Sequence, residues 1–358
     1  MSKDSLQDFV REVSGENHLR VEHDFGGGFV RLHTSEAERR QAAQDIQCTE
    51  NIVIELLRNS RDAHASHIYL ATAREGSKRT LTVIDDGDGI PATMHDHVFE
   101  PRVTSKLDSS HRDDWGYHGR GMALFSIAEN TLEARVVDSE EGLGCSIHVV
   151  SDLKALKERS DQSSFPTFLL EENGTVNIRG PRNILRTACE FSIAARDACT
   201  VYVGSPAEIA ATVYAYGMET LSAIDRAFCH DVTQLPLVKR LATASDPVDL
   251  ANLAKTLGLD ISSRTARRII DGQISAQDSL LTLVEFSVAG QAPGQQRKKA
   301  PRKHPKPKFT VEEKRELAQA VGDAFKPLAQ RYYLDSNVEP RMSVSSGRIV
   351  ISIPLVDS

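Results

Sequence analysis

Glu55, Asn59 and Asp62 are spaced i, i+4 and i+7, which places a carboxylate, a carboxamide and a second carboxylate on one stripe of a helix. A carboxamide oxygen can hold a hard cation while a carboxylate one turn away orients or deprotonates water. The same spacing also makes an ordinary solvated helix face. A second element, Val83-Ile84-Asp85-Asp86-Gly87-Asp88-Gly89-Ile90, reads as a strand running into a turn whose glycines let backbone approach a flat ligand. An acidic group at such a strand end can accept from an exocyclic amine; alone, the segment is only a glycine turn. The third element, Gly116-Tyr117-His118-Gly119-Arg120-Gly121, precedes an apolar helix from Met122 to Ala128. Glycines ahead of a helix N-terminus turn amides and the positive dipole end toward phosphate oxygens. Each element is weak in isolation, whereas the three in this order, about 30 residues apart, point together to a nucleotide site.

With these residues in view, the chain resembles the GHKL ATPase superfamily, named for gyrase, the large heat-shock chaperone, histidine kinases and MutL. ELLRNSRDA is similar to its asparagine box, DDGDGI to its first glycine box and GYHGRG to its second. The resemblance implies that Glu55 is the general base, Asn59 the magnesium ligand and Asp85 the reader of adenine, with Asp62 and Ile90 beside them. It implies that Gly87 and Gly89 shape the base pocket. Gly116, Gly119 and Gly121, with Tyr117, His118, Arg120 and Met122 among them, would wrap the triphosphate. Thr104-Ser105-Lys106 resembles the TSK stretch of MutL proteins, which makes Lys106 a phosphate contact, and Thr175 resembles the family's distal threonine near adenine. ATP and magnesium are the implied cofactors. No GxxxxGK[ST] motif occurs, so a P-loop is excluded. Asp24-Phe25-Gly26 mimics a protein-kinase triplet without its companion motifs and reads, with Gly27 and Gly28, as a turn.

These residues need a scaffold. Ser35 with Glu38 is a capping box opening a helix to about residue 45, and Ile52, Val53, Leu56 and Leu57 give the next helix an apolar stripe. HIYLATA and RTLTVID read as a hairpin; LEARVVDS, GCSIHVVSD, TFLLEE and GTVNIRG read as further strands. Residues 86–121, rich in glycine and proline, read as a long functional loop. The expected class is α+β: a two-layer GHKL sandwich of a mixed or antiparallel sheet with helices on one face. The expected division is an arm at 1–45, an ATP-binding domain at 46–204, a helical domain at 205–290, a linker at 291–309, and a helix with two strands at 310–358. Within the helical domain, DLANLAKTLGLDISSRTARRIIDG reads as helix, turn, helix, with Arg264, Arg267 and Arg268 on the second helix. A plain helical hairpin fits the same pattern. Tyr332 and Tyr333, at a helix end, read as core packing.

The chain has 358 residues, 40% hydrophobic and 26% charged, which excludes disorder throughout. No apolar run approaches the roughly 20 residues of a membrane span, and the polar start lacks a signal-peptide core, so a cytoplasmic location is expected. Cys48, Cys145, Cys189, Cys199 and Cys229 are scattered and read as buried free thiols. The net charge of −7 provides no global attraction to nucleic acid. A basic run from Arg297 to Lys308, interleaved with Pro301, Pro305 and Pro307, provides a local one, although such a run also serves as a solvated tether. Only about 45 residues precede the asparagine box, too few for the dimerising hairpin of a histidine kinase. The reading is therefore an ATP-operated clamp, a homodimer acting on DNA, similar to MutL or the B subunits of type IIB topoisomerases. Any strand cleavage would belong to a separate subunit. Lys306 or Lys308 would be the candidate for a γ-phosphate contact from the C-terminal part. A histidine-kinase-like phosphotransferase and a non-hydrolysing ATP-sensing DNA-binding regulator remain as alternatives.

Overall fold

The computed structural model describes residues 21–105, 111–113, 116–118, 121–159, 161–170, 176–227, 229, 231–288, 311–331, 335, 340–345 and 348–353. The chain divides into two compact units, residues 1–290 and 291–358. In the first, hairpin β1 (Val21–Gly26) and β2 (Phe29–Leu32) is followed by α1 (Glu36–Asp45) and α2 (Thr49–Asp62). Hairpin β3 (His67–Glu75) and β4 (Lys78–Asp85) comes next, then two 3-10 turns at 92–94 and 97–99, and β5 (Val103–Thr104). A small hairpin, β6 (His111–Asp113) and β7 (Gly116–His118), precedes α3 (Ala123–Glu129), β8 (Glu133–Glu140) and β9 (Gly144–Asp152). Then come β10 (Thr167–Leu170), β11 (Val176–Arg179), α4 (Ile184–Ala194) and β12 (Thr200–Gly204). Helices α5 (Pro206–Thr220), α6 (Ala223–Ala227), α7 (Leu237–Arg240), α8 (Pro247–Thr256), α9 (Ser263–Ile270) and α10 (Leu280–Val288) complete the unit.

The α+β class is as expected. The central sheet has the order β12-β3-β4-β9-β8 and is mixed: β12 runs parallel to β3, and the other neighbours are antiparallel. Strand alternation sends Ile68, Leu70, Leu81, Val83 and Val149 to one face, where they meet Ile52, Val53, Leu56 and Leu57 of α2 and Phe191 of α4. Full burial of each such side chain contributes about 1.5–3 kcal/mol, so this layer fixes α2 against the sheet.

The second face is covered as well, and here the structure departs from the expectation of helices on one face only. Tyr69, Ala71 and Ile84 pack against Ile209 and Val213 of α5, Leu237 of α7, Leu250 of α8 and Ile269 of α9. The helices expected as a domain following the sandwich are thus its third layer. Ile68, Tyr69, Leu70 and Ala71 are consecutive and all buried, the pattern of a strand covered on both sides rather than one. Two further expectations change. β10 and β11 pair only with each other among the described residues instead of extending the sheet. α4 and β12 lie where no element was expected, and β12 forms a sheet edge that the periodicity of a five-residue strand is too short to announce.

The helix, turn, helix pattern appears as α8 and α9. Its turn is tied to the second face by Thr82 Oγ1 donating to the Gly258 carbonyl at 3.1 Å and Ser146 Oγ donating to that of Leu257 at 2.9 Å. Ala266 and Ile269 face inward, which leaves Arg264, Arg267 and Arg268 exposed. The second unit contains helix α11 (Val311–Arg331) and hairpin β13 (Arg341–Ser345) and β14 (Arg348–Ser352), as the sequence suggests. No helix among the described residues is long and apolar enough to cross a membrane. All five cysteines are free and four are buried.

Candidate active site

With Ile52, Val53, Leu56 and Leu57 committed to the core, the opposite stripe of α2 turns Glu55, Asn59 and Asp62 into a cavity of about 710 Å³. The helix ends in a way that sets its register. Ala63 caps it, His64 takes a left-handed φ of 59°, and the Ala63 carbonyl accepts from Asp88 N at 2.8 Å. His64 Nδ1 lies 2.8 Å from Asp88 Oδ2, and Ser60 Oγ donates to Asp85 Oδ2 at 2.7 Å. These contacts dock the 85–89 turn on the last turn of α2, so Asp88, Gly89 and Ile90 join the lining.

The glycines of that turn are required by chain-to-chain approach. A Cβ on Gly87 would stand 2.5 Å from the Ala63 carbonyl oxygen, and one on Gly89, at φ +73°, 1.9 Å from that of Glu140. Backbone segments lie directly against each other at both glycines, and of the two Gly89 lines the cavity.

Thr104 and Ser105 line the opposite wall with Val103, Arg102, Phe29 and Glu38. β5 is held there by pairing with β2, Val30 opposite Thr104 and Arg31 opposite Val103. Of the second glycine box, only Gly121 lines the cavity among the described residues, together with Met122 that follows it. Gly116, Tyr117 and His118 form β7, paired with β6, and are not a turn opening directly onto α3. Lys106, Gly119, Arg120 and Thr175 lie outside the described residues, as do the 297–308 linker with Lys306 and Lys308, and Tyr332 and Tyr333.

Asp85 is placed differently from Glu55 and Asn59. It is buried and does not line the cavity; its carboxylate accepts from Ser60 Oγ and, at 3.0 Å, from Gly87 N. Its two partners, Ser60 and Gly87, are the chain neighbours of the lining residues Asn59 and Asp88. Burial pushes its pKa up to about 6, against hydrogen bonds from Ser60 and Gly87 that pull it down. For its neighbour Asp86, burial alone would raise the carboxyl, but hydrogen bonds from His67 and Ser66 hold it below the usual range.

A carboxyl whose folded pKa lies above its unfolded value contributes stability that is present below about pH 4 and lost as pH rises through about 6. A carboxamide in place of the Asp85 carboxyl could accept from Gly87 N and donate to Ser60 without carrying a charge. Asp85→Asn is therefore expected to melt higher than the wild type at pH 7.5, with the gap closing by pH 4, in a thermal-denaturation series across that range.

Sequence reasoning missed several lining groups. Arg58, 3% exposed, donates to Glu55 Oε1 at 2.7 Å, so the candidate base is held by a guanidinium from its own helix. Arg102 pairs with Glu38 at 2.5 Å. Arg159 Nε donates to Cys48 Sγ at 3.0 Å. Outside the lining, Gly144, at φ +93°, lies where a Cβ would come within 2.1 Å of the Asp85 carbonyl oxygen. Of these, only Arg58 carried a local signal, its position between Glu55 and Asn59. Asn59 Nδ2 is buried with no hydrogen-bond partner among the described residues. A carboxamide's two ends are interchangeable by rotation, so this terminus can present its oxygen to a cation.

Residues 44–155 match the family of Histidine kinase-, DNA gyrase B-, and HSP90-like ATPases. The chain carries a GHKL ATPase domain. It is similar to the DNA mismatch repair protein MutL of Limosilactobacillus reuteri (strain DSM 20016), 33% identical over 111 residues, which cover 30% of this chain and 16% of that protein. MutL of Staphylococcus saprophyticus is 31% identical over 120 residues, covering 32% and 18%. MutL of Clostridium beijerinckii is 33% identical over 122 residues, covering 33% and 18%. The chain thus spans less than a fifth of the length of the curated relatives it matches. The cavity wall carries Glu38, Asp45, Glu55, Asp62 and Asp88 against Arg58, Arg102 and Arg159. A polyanion bound here adds to an acidic excess among the described residues, which favours a divalent cation in company with it.

Proposed function

We propose that this protein binds magnesium-ATP in the α2 cavity and hydrolyses it, and that the nucleotide cycle operates a MutL-like clamp of two protomers on DNA. One observation carries the reading: Glu55 and Asn59 line the same cavity as Gly89, Thr104 and Gly121, residues from four separate stretches of chain. Asn59 would hold magnesium, with water and nucleotide phosphates completing its shell. Among the described residues, no group of three or more His, Cys, Asp or Glu side chains could hold a metal ion by itself. A magnesium ion held there would supply charge neutralisation to the phosphate oxygens.

Glu55 orients a water toward the terminal phosphorus and takes its proton, and the Arg58 contact keeps the carboxylate aimed. Asp85, buried at the head of the 85–89 turn, accepts from the amino group of the base alongside Ser60 Oγ and Gly87 N. Thr104, Ser105 and Lys106 contact phosphate, with the amides of the second glycine box.

DNA is the proposed partner, in keeping with the MutL relatives, which are DNA mismatch repair proteins. Arg264, Arg267 and Arg268 on the outward side of α9, and the Arg297–Lys308 run, would neutralise phosphates without reading sequence. The test measures ATP turnover and oligomeric state with and without duplex DNA at low and moderate salt. Turnover stimulated by DNA, with dimers forming on ATP, is expected; no turnover under any condition overturns the proposal. Replacing the three α9 arginines by Gln should leave basal turnover unchanged and reduce the slope of log affinity against log salt by roughly 2 to 3.

A further inference from the structure

We propose that Arg102 is a polyphosphate-binding residue of the cavity and that Glu38 holds it in reserve until a nucleotide arrives; the inference rests on the ATP reading above. Arg102 immediately precedes β5, and its backbone sits at φ +56°, in the left-handed region. A residue with a β-carbon keeps that conformation only where its surroundings impose it, and such positions concentrate at functional sites. The surroundings here are explicit. The Arg102 carbonyl accepts from Leu32 N at 3.0 Å, and a Cβ on Gly121 would stand 2.9 Å from the Val103 carbonyl oxygen. The backbone is pinned between β2 and the start of α3, and the side chain, 8% exposed, joins Thr104, Ser105 and Met122 in the cavity wall.

Its guanidinium meets a carboxylate that already has other work. Glu38 Oε2 accepts from Ser35 N and Ser35 Oγ, both at 2.9 Å, and closes the α1 capping box; Oε1 takes Arg102 Nη2 at 2.5 Å. The pair contributes little net stability, because Arg102 loses its water while Glu38, 37% exposed, keeps part of its own and screens the attraction. A phosphate chain offers the guanidinium fork a denser charge and bidentate geometry, so exchange from Glu38 to phosphate is downhill for Arg102. The capping box leaves Glu38 a role after the exchange. Arg58 is committed to Glu55 on its own helix. Arg102, by contrast, is held from a different element, so it can change partners without disturbing the base.

The test titrates the full chain with magnesium and a non-hydrolysable ATP analogue, ADP or AMP, for the wild type, Arg102→Gln, Arg102→Lys and Glu38→Gln. Arg102→Gln should weaken the ATP analogue by about tenfold or more and spare AMP, with Arg102→Lys between. Glu38→Gln should tighten the ATP analogue several-fold. A glutamine keeps the capping box, its oxygen toward Ser35 and its amide NH2 toward Arg102, so this variant carries the test even where Arg102→Gln fails to fold. Unchanged or weakened binding by Glu38→Gln, or an equal loss for all three nucleotides in Arg102→Gln, overturns the inference alone. A wild type that binds none of them overturns the ATP reading and this inference together.

Discussion

Glu55→Gln is expected to bind ATP as the wild type does and to hydrolyse it about 10²- to 10⁴-fold more slowly, the usual contribution of a positioned general base. Glutamine is the informative replacement because of Arg58. That guanidinium is 3% exposed and donates to Glu55 Oε1, so alanine would leave a buried cation short of an acceptor and confound lost chemistry with lost packing. The glutamine carbonyl still accepts from Arg58 and keeps the side chain in place, while removing the proton acceptor. Single-turnover hydrolysis beside equilibrium nucleotide binding separates the two quantities. A variant that turns over ATP at the wild-type rate would remove Glu55 from the chemistry.

The largest stability effect is expected at Gly89. A Cβ there would lie 1.9 Å from the Glu140 carbonyl oxygen, on a backbone already at φ +73°. Neither group can yield cheaply, because the neighbour is backbone and the 85–89 turn is tied to α2 through Ala63, His64 and Ser60. Gly89→Ala should cost about 4 kcal/mol or more, and lower the melting temperature of the first unit by about 8 °C or more. Gly142→Ala is the matched control: φ is +76° but nothing lies within 4 Å of its Cβ, so only the left-handed backbone cost of about 1–2 kcal/mol applies. Equal losses for the two variants in thermal denaturation would show that the close approach to Glu140 is not what demands glycine at position 89.

These residues also mark what could be read in the one-dimensional pattern. Glu55 and Asn59 were legible because a helix repeats every 3.6 residues, so their spacing alone puts them opposite the Ile52, Val53, Leu56 and Leu57 stripe. The helix, turn, helix of α8 and α9 was legible for the same reason, from local periodicity and a glycine at its turn. Gly87 and Gly89 were legible as glycines but not in their reason, since the atoms they avoid, on Ala63 and Glu140, are remote along the chain or belong to another element. Arg102 had no local signal at all: its left-handed backbone and its Glu38 partner, 64 residues away, exist only after β5 pairs with β2.

By itself, the order of side chains determined the α+β class, the polar stripe of α2, the strand-to-glycine turn at 85–89 and the likeness of these segments to the GHKL boxes, because each depends on contacts within a few residues. Tertiary structure alone decided that the sheet is covered on both faces, that β12 joins it in parallel, that Asp85 is buried outside the cavity wall, and that each pocket arginine has a particular acceptor. Those outcomes depend on which distant surfaces bury one another, and the energy of burial is indifferent to how far apart along the chain the two surfaces begin.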